Sequence, residues 1–312
     1  MERRHGRSPR TRKSQDESVV LATCSRLRAM RPTTSHSLPN SNAGFVEGHN
    51  LTVDWRGYGL RVEQFDEHAA DLVKAGVDLI QAGGDAAVRA SQRATREIPI
   101  LALTDDMVGQ GFVRSLSRPN GNITGVTILG SELDGKRQEI LIEAVPGVHR
   151  IGVIADRNVT PESHLRGLQD AARVRGVELS VHWAILQEDI APAIDAAKLS
   201  EADALNVLAS ALFFNNRTII FDRVTTLRLP AMYQWPEIAD QGGLIGYGPR
   251  IVQLYREVIS RQLIKLLRGA KPVDIPVEQP TKFELVINLR TARMIQLNLP
   301  AALLSRADHV IE

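Results

Sequence analysis

Residues 122–158 read NITGVTILGSELDGKRQEILIEAVPGVHRIGVIADRN. The β-branched residues Ile123, Thr124, Val126 and Thr127 predict a short strand over 123–127. An amphipathic helix is expected over about 131–144, followed by a turn at Pro146-Gly147 and a second strand over 150–155. One α/β unit therefore ends inside this stretch and another begins. Outward from it in both directions, short apolar runs alternate with helical patterns, as in parallel sheets covered by crossover helices. The expected fold class is α/β, with two lobes joined at this stretch and a cleft between them.

Upstream, residues 51–55 have the period-two look of a strand, and Val62, Phe65, Ala69 and Leu72 share one helical face. A buried-type strand is expected over 77–81, a helix from Ala82-Gly83-Gly84-Asp85 to about residue 95, and a strand over 98–103. Helical residues are expected near 109–115. Downstream, strands are expected over 151–155, 178–183, 204–208, 231–233 and 244–247. Helices are expected over 161–175, 190–199 and 216–227, with a strongly amphipathic one over 251–267 closed by Gly269.

Residues 1–42 differ from everything that follows. Arg, Ser, Thr, Pro and Asn dominate, and the apolar residues are scattered. The best strand candidate, 19–23, is short and bounded by Asp16-Glu17-Ser18 and Ser25-Arg26. No convincing amphipathic helix follows it before Pro39. The expectation is a disordered or out-of-family head that leaves the first lobe without its opening strand, through a divergent arm, an upstream frameshift or a wrongly chosen start. The basic cluster Arg3, Arg4, Arg7, Arg10, Arg12 and Lys13 reads as a solvated tail.

The composition narrows the function classes. A chain of 312 residues accommodates two domains, and 43% hydrophobic with 24% charged residues is ordinary for a globular protein. A net charge of +2 is too small to imply a nucleic-acid or membrane partner. The one cysteine, Cys24, excludes an intrachain disulfide framework and a cysteine-rich metal site. No apolar run approaches the roughly 18 residues of a transmembrane helix. After Arg3-Arg4 only the short run Val19-Val20-Leu21-Ala22 is apolar, so no signal peptide is recognisable.

Four segments carry a family resemblance: FVEGHNLTVDWR (45–56), RPNGNITGVTILGSELDGKRQEIL (118–141), QGGLIGYG (241–248) and PVEQPTKFELVINLRTAR (276–293). Over about 43–312 the chain resembles the periplasmic substrate-binding proteins of ABC transporters, in the branch related to tryptophan- and other amino-acid-binding members. The resemblance implies the type 1 periplasmic binding fold, two Rossmann-like lobes joined by a hinge of three chain crossings. It divides the chain into a first lobe of 43–127 plus 249–280 and a second of 128–248 plus 281–312. It also implies a monomer in the periplasm that delivers a small molecule to an ABC permease in the inner membrane, with no cofactor and no nucleic-acid partner.

In open parallel sheets, ligands bind where loops leave the carboxyl ends of the strands. In the first lobe this selects Gly83, Gly84 and Asp85, where a glycine turn before a helix start favours an anion such as a carboxylate, or where Asp85 simply caps its own helix. It also selects Thr127 and the run Thr104-Asp105-Asp106, which suits an ammonium group. Paired carboxylates fit acid–base catalysis or a metal as well, and a solvated loop is the bland alternative. In the second lobe it selects Asp156 with Arg157 and Asn158, Ser210 with Phe213 and Phe214, Trp235 with Tyr233, and Tyr247. With only 4% aromatics in the chain, Phe213, Trp235 and Tyr247 are expected to form a face for a planar or apolar ligand, or to pack in the core. Relatives often carry Asp-Pro where this chain has Ser210-Ala211, a departure that bears on the ligand. The eight histidines show no paired spacing, and the nucleophile-elbow, phosphate-loop and zinc-protease motifs are absent.

The leading expectation is a solute-binding protein that closes on an amino-acid-like or carboxylate ligand and makes no bond. Its rivals are a cytoplasmic bilobal ligand sensor and an α/β enzyme using Asp105 and Asp106.

Overall fold

The computed structural model describes residues 19–25, 44–57 and 62–312. A first sheet holds β1 (Val19–Ser25), β2 (Leu51–Asp54), β3 (Leu79–Gly83), β4 (Ile100–Thr104) and β5 (Ile123–Thr127). All are parallel, in the order β2-β1-β3-β4-β5. Helices α1 (Phe65–Ala75) and α2 (Asp85–Ala94) cover one of its faces. The strands sort their residues by the two-residue pleat. Ile80, Ala82, Ile100 and Ala102 point toward α1 and α2, while Leu79, Leu101 and Leu103 point the other way.

After α3 (Gly130–Ala144), the second sheet takes β6 (Arg150–Asp156), β7 (Glu178–Ala184), β8 (Ala204–Val207), β9 (Ala231–Tyr233), β10 (Ile245–Gly248), β11 (Glu284–Asn288) and β12 (His309–Ile311). The order is β12-β11-β10-β9-β8-β6-β7, with only the β10–β11 pair antiparallel. From β7 to β10 this repeats the order of the first sheet. Its helices are α4 (Glu162–Val174), α5 (Ile190–Leu199), α6 (Ala211–Asn215), α7 (Arg217–Leu227) and α8 (Pro236–Asp240). A long late helix runs as α9 (Ile251–Leu254), a π-helical stretch (Tyr255–Ile259) and α10 (Ser260–Leu267). The C-terminal part adds α11 (Leu289–Met294) and α12 (Ala301–Leu304).

One apolar cluster spans both sheets. Leu79, Leu101, Leu103 and Val126 of the first lie in it with Leu205, Val207, Phe213 and Trp235 of the second and with Ile251, Leu263 and Leu266 of the late helix. That helix begins against the second lobe, where the Val252 amide donates to Glu237 Oε1 (3.1 Å), and ends against the first, where Gln262 Nε2 donates to the Gly125 carbonyl (3.3 Å). The chain then runs along β5: the Glu278 amide donates to the Gly125 carbonyl and the Thr127 amide to the Glu278 carbonyl, both at 3.0 Å.

The sequence expectation fails at the head. Val19–Ser25 is not a missing strand but an interior one, hydrogen-bonded in parallel to β2 and β3. An interior strand needs only a short apolar, β-rich run with a neighbour on each side. Ser25, a polar flank that argued against a strand, lies inside it. Strand β2 forms one edge of the sheet. The rest of the head, including its basic cluster, lies outside the described residues.

Smaller shifts have local causes. Strand β3 starts two residues later than expected because Gly76, at φ +71°, closes α1 and the Val77 amide still bonds the Leu72 carbonyl (3.4 Å). Residues 109–115 form turns, not a helix, since the Asp106 carboxylate accepts from the Val108 and Gly109 amides (3.1 and 2.8 Å). A separate helix, α6, precedes α7 because Ser210 caps it, accepting from the Leu212 amide at 3.0 Å.

Candidate functional site

In a sheet of order 2-1-3-4-5 the crevice for ligands opens where the order reverses, between the first and third strands. In the first lobe this point lies between β1 and β3, where Gly83 ends β3 and Gly84 bends the chain into α2. Gly84 sits at φ +87°, a conformation that side chains disfavour, and its amide donates to the Leu103 carbonyl (2.8 Å). Asp85 opens α2. Its carboxyl faces the Asp105 amide and the Thr104 side chain.

Burial raises the Asp85 carboxyl to about 6, and the charge of Asp105 adds to the effect. The Asp105 amide, Arg89 and Thr104 oppose the rise without cancelling it. Thr104 is 2% exposed, and its hydroxyl leans on Asp85 without a hydrogen bond of normal geometry. Arg89 is itself engaged elsewhere, donating to Gln110 (2.8 Å) and lying over the Phe112 ring.

The Asp105 turn is pinned to the segment that follows β5 and leads into α3. Thr127 Oγ1 donates to the Asp105 carbonyl (2.7 Å), and the Ile128 and Leu129 amides donate to the Thr104 and Asp105 carbonyls (2.9 and 3.0 Å). Its carboxylate rests against Gly130, the first residue of α3. A Cβ there would collide with that carboxylate and lie 3.3 Å from Ala209 Cβ of the second lobe. Gly130 thus brings Asp105 and the Ala209-Ser210 turn to the same spot. Asp106 is exposed, and its carboxylate is engaged in its own turn.

The second lobe's order reverses between β6 and β8, and there the polar groups satisfy each other. Ser210 Oγ donates to Asp156 Oδ2 (2.6 Å), and the Asn158 amide donates to Oδ1 (2.9 Å). Asp156 is 2% exposed. Phe213 and Trp235 are buried in the shared apolar cluster, with Trp235 edge-on to Phe214 at 4.8 Å between centroids. Tyr247 is half-buried beside a different cluster, 6.5 Å from the Phe283 ring. The three aromatics therefore form no common stacking face. Arg157 is exposed over Trp183 (4.4 Å) and paired with Glu162 (3.3 Å).

Sequence reasoning missed a polar group in this lobe, the buried Asp134, Arg137 and Gln138 on α3 and Gln234 after β9 with the half-buried His164 on α4. A signal was available, since a helical stripe through 130, 134, 137 and 141 puts a charged pair among core positions. Among the described residues no group of His, Cys, Asp or Glu is suited to hold a metal ion, and no helix is long and apolar enough to cross a membrane. Two surface hollows of about 310 and 690 Å³, lined by residues such as Val145 and Leu297 or Phe221 and Met294, contain none of the candidate residues.

The model of the ABC transporter substrate binding protein family matches residues 41–311. A curated tyrosine-binding protein of Clostridioides difficile (strain R20291) is 25% identical over 257 residues, which span 81% of this chain and 73% of that protein. Among solved structures, an ABC domain of Streptococcus pneumoniae in complex with L-Trp superposes with a TM-score of 0.80 at 19% identity, covering 95% of this chain and 100% of that one. A conserved domain protein of Vibrio cholerae gives 0.81 at 21% identity, covering 94% and 100%.

Proposed function

The chain belongs to the ABC transporter substrate binding protein family, and from that premise we propose that its interlobe cleft captures a free amino acid, with the aromatic amino acids as first candidates. The observation that carries this reading is the group Asp85, Thr104 and Asp105 at the first lobe's strand-order reversal, set across Gly130 from the Ala209-Ser210 turn of the second lobe. Two neighbouring carboxyls, one of them poorly solvated, suit a ligand's ammonium group. The amides of the first turn of α2, beyond Gly84, suit its carboxylate. Buried Phe213 and Trp235 line the apolar part from behind. A tyrosine-binding relative and an L-Trp-bound structural neighbour support the choice of ligand class.

We assign β1, residues 43–127 and 249–280 to one lobe and 128–248 with 281–312 to the other. The three crossings then lie near 128–130, 248–251 and 281–283. Closure of the lobes is driven by the ligand's differential contacts with the closed state, and the closed form is presented to a permease outside the cytoplasm.

A thermal-shift screen of the twenty amino acids tests the reading. One or more, tyrosine or tryptophan foremost, is expected to raise the melting temperature in a concentration-dependent way. A flat response to all twenty would refute it.

A further inference from the structure

The buried guanidinium of Arg137 touches every segment that delivers a second-lobe residue to the cleft from β9, β10 and the hinge. Its side chain is 0% exposed. Nε donates to the Tyr247 carbonyl (2.8 Å), at the carboxyl end of β10. Nη2 donates to the Gln234 carbonyl (2.7 Å), one residue beyond β9 and one before Trp235. Nη1 donates to the Gly130 carbonyl (2.8 Å), the residue on which Asp105 rests, and to Asp134 Oδ1 (2.7 Å). The other oxygen of Asp134 is held by His164 Nε2 (2.9 Å).

A planar cation with directed donors suits this task. It donates to three main-chain carbonyls at the ends of β9 and β10 and the start of α3, and Asp134 balances its charge inside the protein. Lysine, a single nitrogen on a flexible stem, cannot reach three carbonyls at once. We infer that Arg137 is the positioning residue of the second lobe's half of the ligand site, fixing the ends of β9 and β10 to the hinge residue Gly130. This rests on the reading of the cleft as an amino-acid site. Arg137 itself, fully enclosed, does not touch the ligand.

The test compares wild type with Arg137→Met and Arg137→Lys, using L-tryptophan and L-tyrosine as probes by calorimetry at a temperature where each protein is folded. Hydrogen exchange of the ligand-free proteins is measured in parallel. Arg137→Met is expected to weaken probe binding about 10- to 100-fold, the usual penalty for losing a group that orients ligand contacts, and Arg137→Lys by less. Amides at 234–238 and 247–251 are expected to exchange faster in both variants while those of β4 keep their wild-type rates. Binding within about twofold of wild type despite a lowered melting temperature, or exchange that accelerates equally in both lobes, would overturn the inference. If Arg137→Met does not fold, Arg137→Lys carries both arms. If neither probe binds wild type, the aromatic choice of ligand fails, and the exchange pattern alone decides the role of Arg137.

Discussion

The two lobes share a strand order yet treat their order-reversal points in opposite ways. In the first, Asp85 and Asp105 crowd together where water is scarce, and burial lifts Asp85 to about 6. In the second, Asp156 is more deeply buried but receives Ser210 and the Asn158 amide, while Arg137 braces the surrounding strand ends from below. A repeated fold can therefore place two neighbouring carboxyls at the reversal point of one half and a hydrogen-bonded Ser210–Asp156 pair at that of the other. That division suits a cleft that meets a cationic group on one side and holds its shape on the other.

The largest expected effect comes from removing the first lobe's charge. Asp105→Ala is expected to weaken amino-acid binding by about 2–5 kcal/mol, the range for truncating one partner of a buried charge pair. Calorimetric affinity equal to wild type would place the ammonium elsewhere.

Next is the stability of the ligand-free protein. The Asp85 carboxyl is raised from 3.8 to about 6 in the native state, so between those values the native state holds more protons than the unfolded chain. Stability from this group is present below pH 3.8 and is lost as pH rises through 6. Asp85→Asn removes the ionisation and should stabilise the ligand-free protein by about 3 kcal/mol at pH 7. The gain should vanish near pH 3, while ligand affinity falls. Denaturant melts at the two pH values check both the sign and the window, and an equal gain at both would remove the charge-based account.

The smallest effects separate the two hydroxyls. Ser210→Ala strips Asp156 of its donor and α6 of its cap, and is expected to cost about 1–3 kcal/mol. Thr104→Val, at the end of β4 in the first lobe, deletes a hydroxyl with no hydrogen bond of normal geometry and should cost under about 1 kcal/mol. Similar losses for the two would erase the contrast between the lobes.

Most of the architecture was legible because interior parallel strands and amphipathic helices write strong periods. Ile123–Thr127 and the helices around Leu72 and Leu168 follow from spacing alone. Val19–Ser25 was not legible, since what makes it a strand is the pair of neighbours at β2 and β3, which are far away in sequence. The strand-exit rule selected Asp85, Thr104, Asp105, Asp156 and Ser210 as candidates. It could not tell that Asp156 and Ser210 bond each other, nor that Phe213 and Trp235 turn inward, because side-chain direction at a strand exit depends on tertiary packing. Arg137 escaped because it sits in a sequence run, Lys136-Arg137, whose charge reads as a solvated helix face.

The central claim is that the first lobe's carboxyls receive the amine of a bound amino acid. Calorimetry at pH 7.5 with L-tryptophan and its amine-free analogue indole-3-propionate tests it most directly. The account predicts that L-tryptophan binds and that the analogue binds at least about 30-fold more weakly, roughly 2 kcal/mol. An analogue that binds as tightly as L-tryptophan, or more tightly, would contradict it.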